Sequence, residues 1–328
     1  LVIKAGVTVQ GESLRGTEVR PATGTGTSIK TVSQSGGVGG TAGTYNYVTP
    51  TATSGSGKKE AVRVNVVQDG SSAPTVTIYH GGYDFATSDT LTIPASAIGN
   101  PGSALTLTVT ALQNNDASDM FIMNNSTNLV QMSMKGLTGT PTGKGTSNAA
   151  VTSLDPSGTI TTASPYIQNC SSVNANATGI EIDGNLHASG NKSILANDFT
   201  QINSDGIGVH CLAGGRGEMV SIFTYYCDKS FYAHSGGFIR GLNCSSGYGE
   251  KGAVAEGTLA SETAVSVNTR GRMLKYDATQ FLGGATESDI QDSIATQGVG
   301  TATVSGGSSG ATATIFRTNI STDVLHVE

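Results

Sequence analysis

Two aspartates stand beside short alternating runs, Asp183 at the end of "TGIEIDG" (178 to 184) and Asp205 at the start of "SDGIGVH" (204 to 210). Glycoside hydrolysis needs two carboxyl groups held at a set separation across the scissile bond. Asp183 and Asp205, with Glu181 and Glu218 close by in sequence, are therefore the candidates for a glycan-cutting groove. Asp-Gly is also an ordinary turn dipeptide, in which the carboxylate accepts from nearby backbone amides. The turn role is the expected one: no catalytic residue is assigned, and Asp183 and Asp205 carry only the alternative reading.

The other reactive side chains give weaker signals. His187 and His210 lie near those acids and could act as general bases, but neither has a local nucleophile signature such as GxSxG. They read as surface polar residues. "GGRG" at 214 to 217 lacks the GK[ST] that a phosphate cradle requires, and reads as a chain corner. Phe223, Tyr225, Tyr226, Phe231 and Tyr232 form an aromatic cluster suited to stacking on sugar rings. Alternation sends about half of any strand's side chains inward, so core packing claims some of them, and Tyr226 or Tyr232 exposed in a groove would be the informative outcome. Cys170, Cys211, Cys227 and Cys244 show no CxxC pair and no zinc-finger spacing, and are expected to be buried free thiols. Neither metal nor cofactor is expected. Asn-x-Ser/Thr matches such as the one at Asn191 arise by chance in so polar a chain.

The elements that would position these groups are short strands. Residues 1 to 21 alternate apolar positions (Val7, Val9) and break at Gly11, Gly16 and Pro21, which reads as one rung of a coil. From about 22 to 60 the texture, "TGTGTSIKTVSQSGGVGGTAG" and "TPTATSGSGKKE", is that of loops or linkers. Period-two alternation then runs through "AVRVNVV", "TVTIY", "TLTIP" and "LTLTVT", separated by turn signals, and predicts a small antiparallel β-domain. "TATSGSG" at 51 has an echo in "TATVSGG" at 301, which predicts the start of a second such module near 300.

After 113 short alternating strands return, with related positions (Ile167, Ile194, Val220, Ile239) about 19 to 27 residues apart. That is the spacing of coils in a parallel β-solenoid, whose turns vary while its strands stay in register. A lone rung loses more chain entropy than its few buried side chains return, so rungs must stack. Gly and β-branched residues interrupt any helical face over 191 to 235.

Composition agrees. Gly is 45 of 328 residues, about twice ordinary usage. Thr, Ser, Ala and Asn fill much of the rest, Trp is absent, and 37% apolar residues with a net charge of −6 leave enough to bury, which argues against disorder. No Lys/Arg cluster offers a nucleic-acid surface. No apolar run is long enough for a membrane helix, and the first residues do not read as a signal peptide. The ends read as those of a fragment of a longer polypeptide.

"GVTVQGESLRGTEVRP", "NDASDMFIMNNSTNLVQMSMKGLTGT", "SPYIQNCSS", "GIEIDGNLHASGNKSILANDFTQINSDGIGVH", "RGEMVSIFTYYC" and "LNCSSGYGEKGAVAEG" resemble the large virion structural proteins of T4-like phages of marine cyanobacteria, assigned to tail, baseplate or fibre parts. The resemblance covers most of 1 to 21 and 113 to 257. It implies an all-β chain, a right-handed parallel β-helix with a small antiparallel β-domain inserted in a loop. The expected order is a first rung at 1 to 32, the inserted domain at 33 to 112, β-helix at 113 to 285, and at 286 to 328 a linker with the start of a second small module. The implied function is a non-enzymatic segment of a tail fibre or baseplate appendage, a rigid scaffold in contact with host-surface polysaccharide. The implied partners are other tail proteins and two further copies in a homotrimer, without nucleic acid or membrane insertion, and the implied location is the virion, after assembly in the host cytoplasm. The competing function is a tailspike-like polysaccharide lyase or glycoside hydrolase. A cellular adhesin is a third.

Overall fold

Alternating apolar residues with Gly, Asn and Ser at the breaks make strands that bury one face each, and the chain is built almost wholly from them. A computed structural model describes residues 1 to 54, 61 to 138 and 148 to 256, together with the backbone of four strands, Arg272–Lys275, Thr303–Ser305, Thr312–Asn319 and Val324–Val327. The fold is all-β: among the described residues the only helical turns are three 3-10 turns of three residues each. The chain divides into two compact units, 1 to 257 and 258 to 328.

Two parallel sheets dominate the first unit. One has seven strands in the order Val2–Ile3, Phe121–Met123, Ala149–Ser153, Thr178–Asp183, Ile207–Leu212, Lys229–His234 and Lys251–Ala255. The other runs Thr8–Gln10, Asn128–Val130, Tyr166–Ala175, Lys192–Ser204, Gly215–Tyr225 and Phe238–Leu242, with the short strands Glu18–Val19, Ser133–Lys135 and Ser245–Gly247 continuing it. From Phe121 onward the chain passes repeatedly from one sheet to the other, so most strands that follow one another in sequence lie in different sheets and partners within a sheet lie 22 to 38 residues apart. The register is kept: Val151, Ile180 and Val209 stack in one column. Leu129, Ile167, Ala196 and Met219 stack in the other. All seven belong to one buried core.

Corners explain the polar composition. Gln131, Asn169, Asp198, Ser221 and Asn243 all have φ near +50°, as do Asn176, Asp205, Tyr226 and Tyr248. Asn, Asp and Gly enter this left-handed region at least cost, and five of these nine bends hold Asn or Asp. Close approach makes one glycine obligatory. A Cβ at Gly184 would lie 1.6 Å from the Ala213 carbonyl oxygen and 2.2 Å from that of Gly190.

Residues 25 to 114 form an antiparallel block of two sheets. Thr25–Gly36, Leu105–Asn114, Thr90–Ile93 and Thr51–Ala52 make one, and Gly43–Val48, Val62–Gln68 and Thr75–Gly81 the other. Their apolar faces meet in a separate core of Ile29, Val62, Val64, Val66, Leu91, Leu105 and Leu107. The four strands read from "AVRVNVV" to "LTLTVT" are present. The loop or linker expected from 22 to 60 is corrected: three strands lie there, the longest paired along Leu105–Asn114. Ladder hydrogen bonds and the single buried Ile29 hold Thr25–Gly36, a strand too polar for alternation to reveal. The domain accordingly opens at Thr25, within the stretch assigned to the first rung (1 to 32), not at residue 33.

In the parallel sheets the described pairing ends at Lys251–Ala255. Arg272–Lys275, read as part of the stretch to 285, instead pairs antiparallel with Val324–Val327, which also pairs antiparallel with Thr312–Asn319.

Candidate functional site

Alternation sends Ile180 and Ile182 into the core and Glu181 and Asp183 to the outer face of the seven-stranded sheet. His210, Tyr232 and His234 share that outer face on the next two strands. Glu181, Asp183 and His210 are nevertheless buried, and at Asp183 the antiparallel block supplies the cover.

Tyr79 donates its hydroxyl to Asp183 Oδ2 at 2.9 Å, and the Asn185 backbone N–H donates to Asp183 Oδ1 at 2.9 Å. Asp183 thereby caps the 3-10 turn Gly184–Leu186. Arg63, from the same block as Tyr79, donates through Nε to the Asn185 carbonyl at 3.0 Å and through Nη2 to that of Leu186 at 2.7 Å. A second clamp sits at Asp119, which accepts from Tyr83 at 2.8 Å and faces His80 Nε2 at 3.0 Å. Burial, then the Asp183 charge, pushes the Tyr79 hydroxyl far above its ordinary range, so it acts as a fixed donor. The arrangement fastens the antiparallel block to the sheet with charged and buried hydrogen bonds, the stronger kind.

Asp205 is elsewhere. It is exposed, sits at φ +55° in a corner, and its backbone N–H donates to the Tyr226 carbonyl at 3.2 Å. Asp183 pairs across the ladder with Leu212, and Asp205 precedes Ile207 by two residues. Five strand steps of about 3.3 Å, roughly 16 Å, already separate those positions. Glycosidase carboxyl pairs lie within about 10 Å, so these two aspartates are not brought together.

A different chain of groups is continuous. Glu181 Oε2 lies 3.3 Å from His210 Nδ1, His210 Nε2 lies 3.0 Å from His234 Nε2, and His234 Nδ1 lies 2.9 Å from Ser235 Oγ. The carboxylate end is fully buried and the hydroxyl end is exposed. The Tyr232 ring stacks on His210 at 5.0 Å with an interplanar angle of 2°. Its hydroxyl donates to Glu256 at 2.7 Å, and Lys229 Nζ lies 4.0 Å over its ring. Burial, and then the neighbouring His210, hold the His234 imidazole below its ordinary range.

The remaining candidates have structural partners. His187 is half-buried and bonds Ser189 at 2.7 Å. Glu218 pairs with Arg240 at 2.8 Å on the other sheet. Gly215 and Arg216 open a strand, and Arg216 lies 5.1 Å over Phe238. Tyr226 is exposed and stacks on Tyr248 at 5.6 Å, while Phe231 packs on the core and Tyr232 is buried. Cys170, Cys211 and Cys227 are buried free thiols, with burial raising Cys211 to about 12. Among the described residues no cluster of three His, Cys, Asp or Glu could hold a metal ion, and no helix is long and apolar enough to cross a membrane.

Arg63, Tyr79, His234 and Ser235 were not singled out from sequence. For the last two a signal exists: "LAGG" at 212 to 215 recurs as "HSGG" at 234 to 237, one rung later. Comparison of the chain with family models, with curated proteins and with solved structures returned no match.

Proposed function

We propose that the chain is a rigid, right-handed parallel β-helical segment of a phage tail fibre or baseplate appendage, and that it carries the antiparallel block as a fixed decoration. The observation behind this reading is the unbroken in-register parallel pairing of both sheets as the chain alternates between them. Crossovers between parallel strands are right-handed in nearly all proteins. Such a ladder resists bending and shear, because every rung is hydrogen-bonded and packed on the next. The Arg63, Tyr79 and Asp119 clamps fasten the block to it, a design suited to bearing load. The resemblance in 1 to 21 and 113 to 257 supplies the phage assignment, and homotrimerisation and contact with host polysaccharide belong to the same reading, weak contacts being multiplied by copy number.

Immunogold labelling of intact virions with antibody against the purified chain tests it. Gold on the tail appendage is expected, and gold on the capsid alone would overturn the assignment. Sedimentation should return a trimer. Incubation with host envelope polysaccharide should give binding without new reducing ends or unsaturated sugars. Release that disappears in Asp183→Asn or Asp205→Asn would favour the depolymerase instead.

A further inference from the structure

We infer that Ser235, His234, His210 and Glu181 form an acyl-transfer relay able to hydrolyse short-chain carboxylic esters, an activity beyond the scaffold role. The donor and acceptor order closes without a misplaced proton. Ser235 Oγ–H donates to His234 Nδ1, His234 Nε2–H donates to His210 Nε2, and His210 Nδ1–H donates to the Glu181 carboxylate, across 2.9, 3.0 and 3.3 Å. A nucleophile in reach of a base that is itself oriented by a further group is the arrangement by which serine hydrolases activate a hydroxyl.

The neighbouring rung argues that this is more than corner geometry. Leu212 pairs with His234, and Ala213–Gly214 turns with φ of +52° and +79°, against +50° and +78° for Ser235–Gly236. The bend therefore needs neither a histidine nor a serine. Both replacements fall where they extend a carboxylate–imidazole pair from the buried sheet face to solvent. His234, held below its ordinary range mainly by burial, is a neutral base at neutral pH.

In the first step Ser235 Oγ bonds to the acyl carbon while His234 Nδ1 takes the hydroxyl proton. The imidazolium is stabilised through His210 by Glu181. The tetrahedral intermediate expels the alcohol oxygen, which receives that proton, and leaves an acyl-serine. Water then adds to the acyl carbon, His234 again taking and returning one proton, and releases the carboxylic acid and free Ser235. The Gly236 N–H, directly after the nucleophile, makes no turn hydrogen bond among the described residues and is the donor available to the oxyanion. An exposed corner suits a small acyl group on a bulky alcohol. Ser235 and His234 are catalytic; His210 and Glu181 are positioning residues.

The test uses the full chain with 4-nitrophenyl acetate and a fluorophosphonate probe. One probe per chain on Ser235, located by mass spectrometry, is expected. Ester turnover should fall by about 100-fold or more in Ser235→Ala and His234→Gln, with unchanged thermal melting for the exposed Ser235→Ala. Glu181→Gln should move the inflection of the pH–acylation profile to lower pH, because the Glu181 charge helps His234 hold its proton. The other groups facing His234, namely His210, Glu256, Lys229 and Tyr232, remain in place in that variant. Labelling absent from the wild-type chain, labelling or turnover that persists in Ser235→Ala, or an inflection that does not move would each overturn the relay.

Discussion

Asp205 owes its place to backbone conformation. At φ +55° an ordinary L-residue pays a steric penalty that Asn and Gly largely avoid. Asp205→Asn should therefore leave the melting temperature unchanged, while Asp205→Val should destabilise by about 1 to 2 kcal/mol; equal melting temperatures for the two variants would refute the conformational account. Lys192 makes the opposite case, a charge held where it is disfavoured. It is 1% exposed, and burial first, then the Arg63 charge, lowers its amine to about 8 against the opposing Asp155 and Asp183. Between about pH 8 and the ordinary lysine value near 10.4 the unfolded chain binds more protons than the folded one, so this group makes stability rise with pH in that window, by up to about 3 kcal/mol. Urea unfolding at pH 7.5 and pH 10 should show this rise in the wild-type chain and lose it in Lys192→Met. An identical rise in both would assign it to other groups.

At the level of elements, the fold depends on how closely corners and the antiparallel block approach the parallel sheets. Gly184 faces two carbonyl oxygens of neighbouring corners, which are backbone and cannot swing aside. Gly184→Ala should cost at least about 2 kcal/mol by overpacking, measured by denaturant midpoint. Arg63 reaches the last carbonyls of the 3-10 turn that Asp183 caps. Arg63→Ala removes charged, buried hydrogen bonds and should weaken docking by about 3 kcal/mol. The first sign should be faster proteolysis within 25 to 114, with the parallel ladders intact; cleavage spread evenly along the chain would show that the clamp does not act locally.

On the scale of the whole first unit, stability should grade along the two parallel sheets, each strand depending on those it pairs with. Amides of Tyr166–Ala175 and Lys192–Ser204, flanked by strands on both sides, should exchange slowest. Those of Phe238–Leu242 and Lys251–Ala255, at the described end of the ladders, should open first. Hydrogen exchange with the same protection in all of these strands would instead mean that the unit opens only as one body. The relay from Glu181 to Ser235 draws on three neighbouring strands of the seven-stranded sheet, so it is assembled only when those strands are paired.

The sequence by itself determined the all-β character and the antiparallel strands of 62 to 114. These follow from period-two alternation and from Asn, Asp and Gly at bends, which are local properties of the chain. It did not reveal Thr25–Gly36, because that strand is specified by its partner's hydrogen bonds more than by its own apolar residues. Asp183 and Asp205 looked equivalent in the sequence, yet one is sealed under Tyr79 and the other sits on an open corner. The outer face of the sheet, where Glu181, His210 and His234 meet and where the block docks at Asp183, was likewise decided by tertiary structure alone. Residues 24 to 29 positions apart become neighbours only when parallel register is set, and register is a property of paired strands that no single strand encodes.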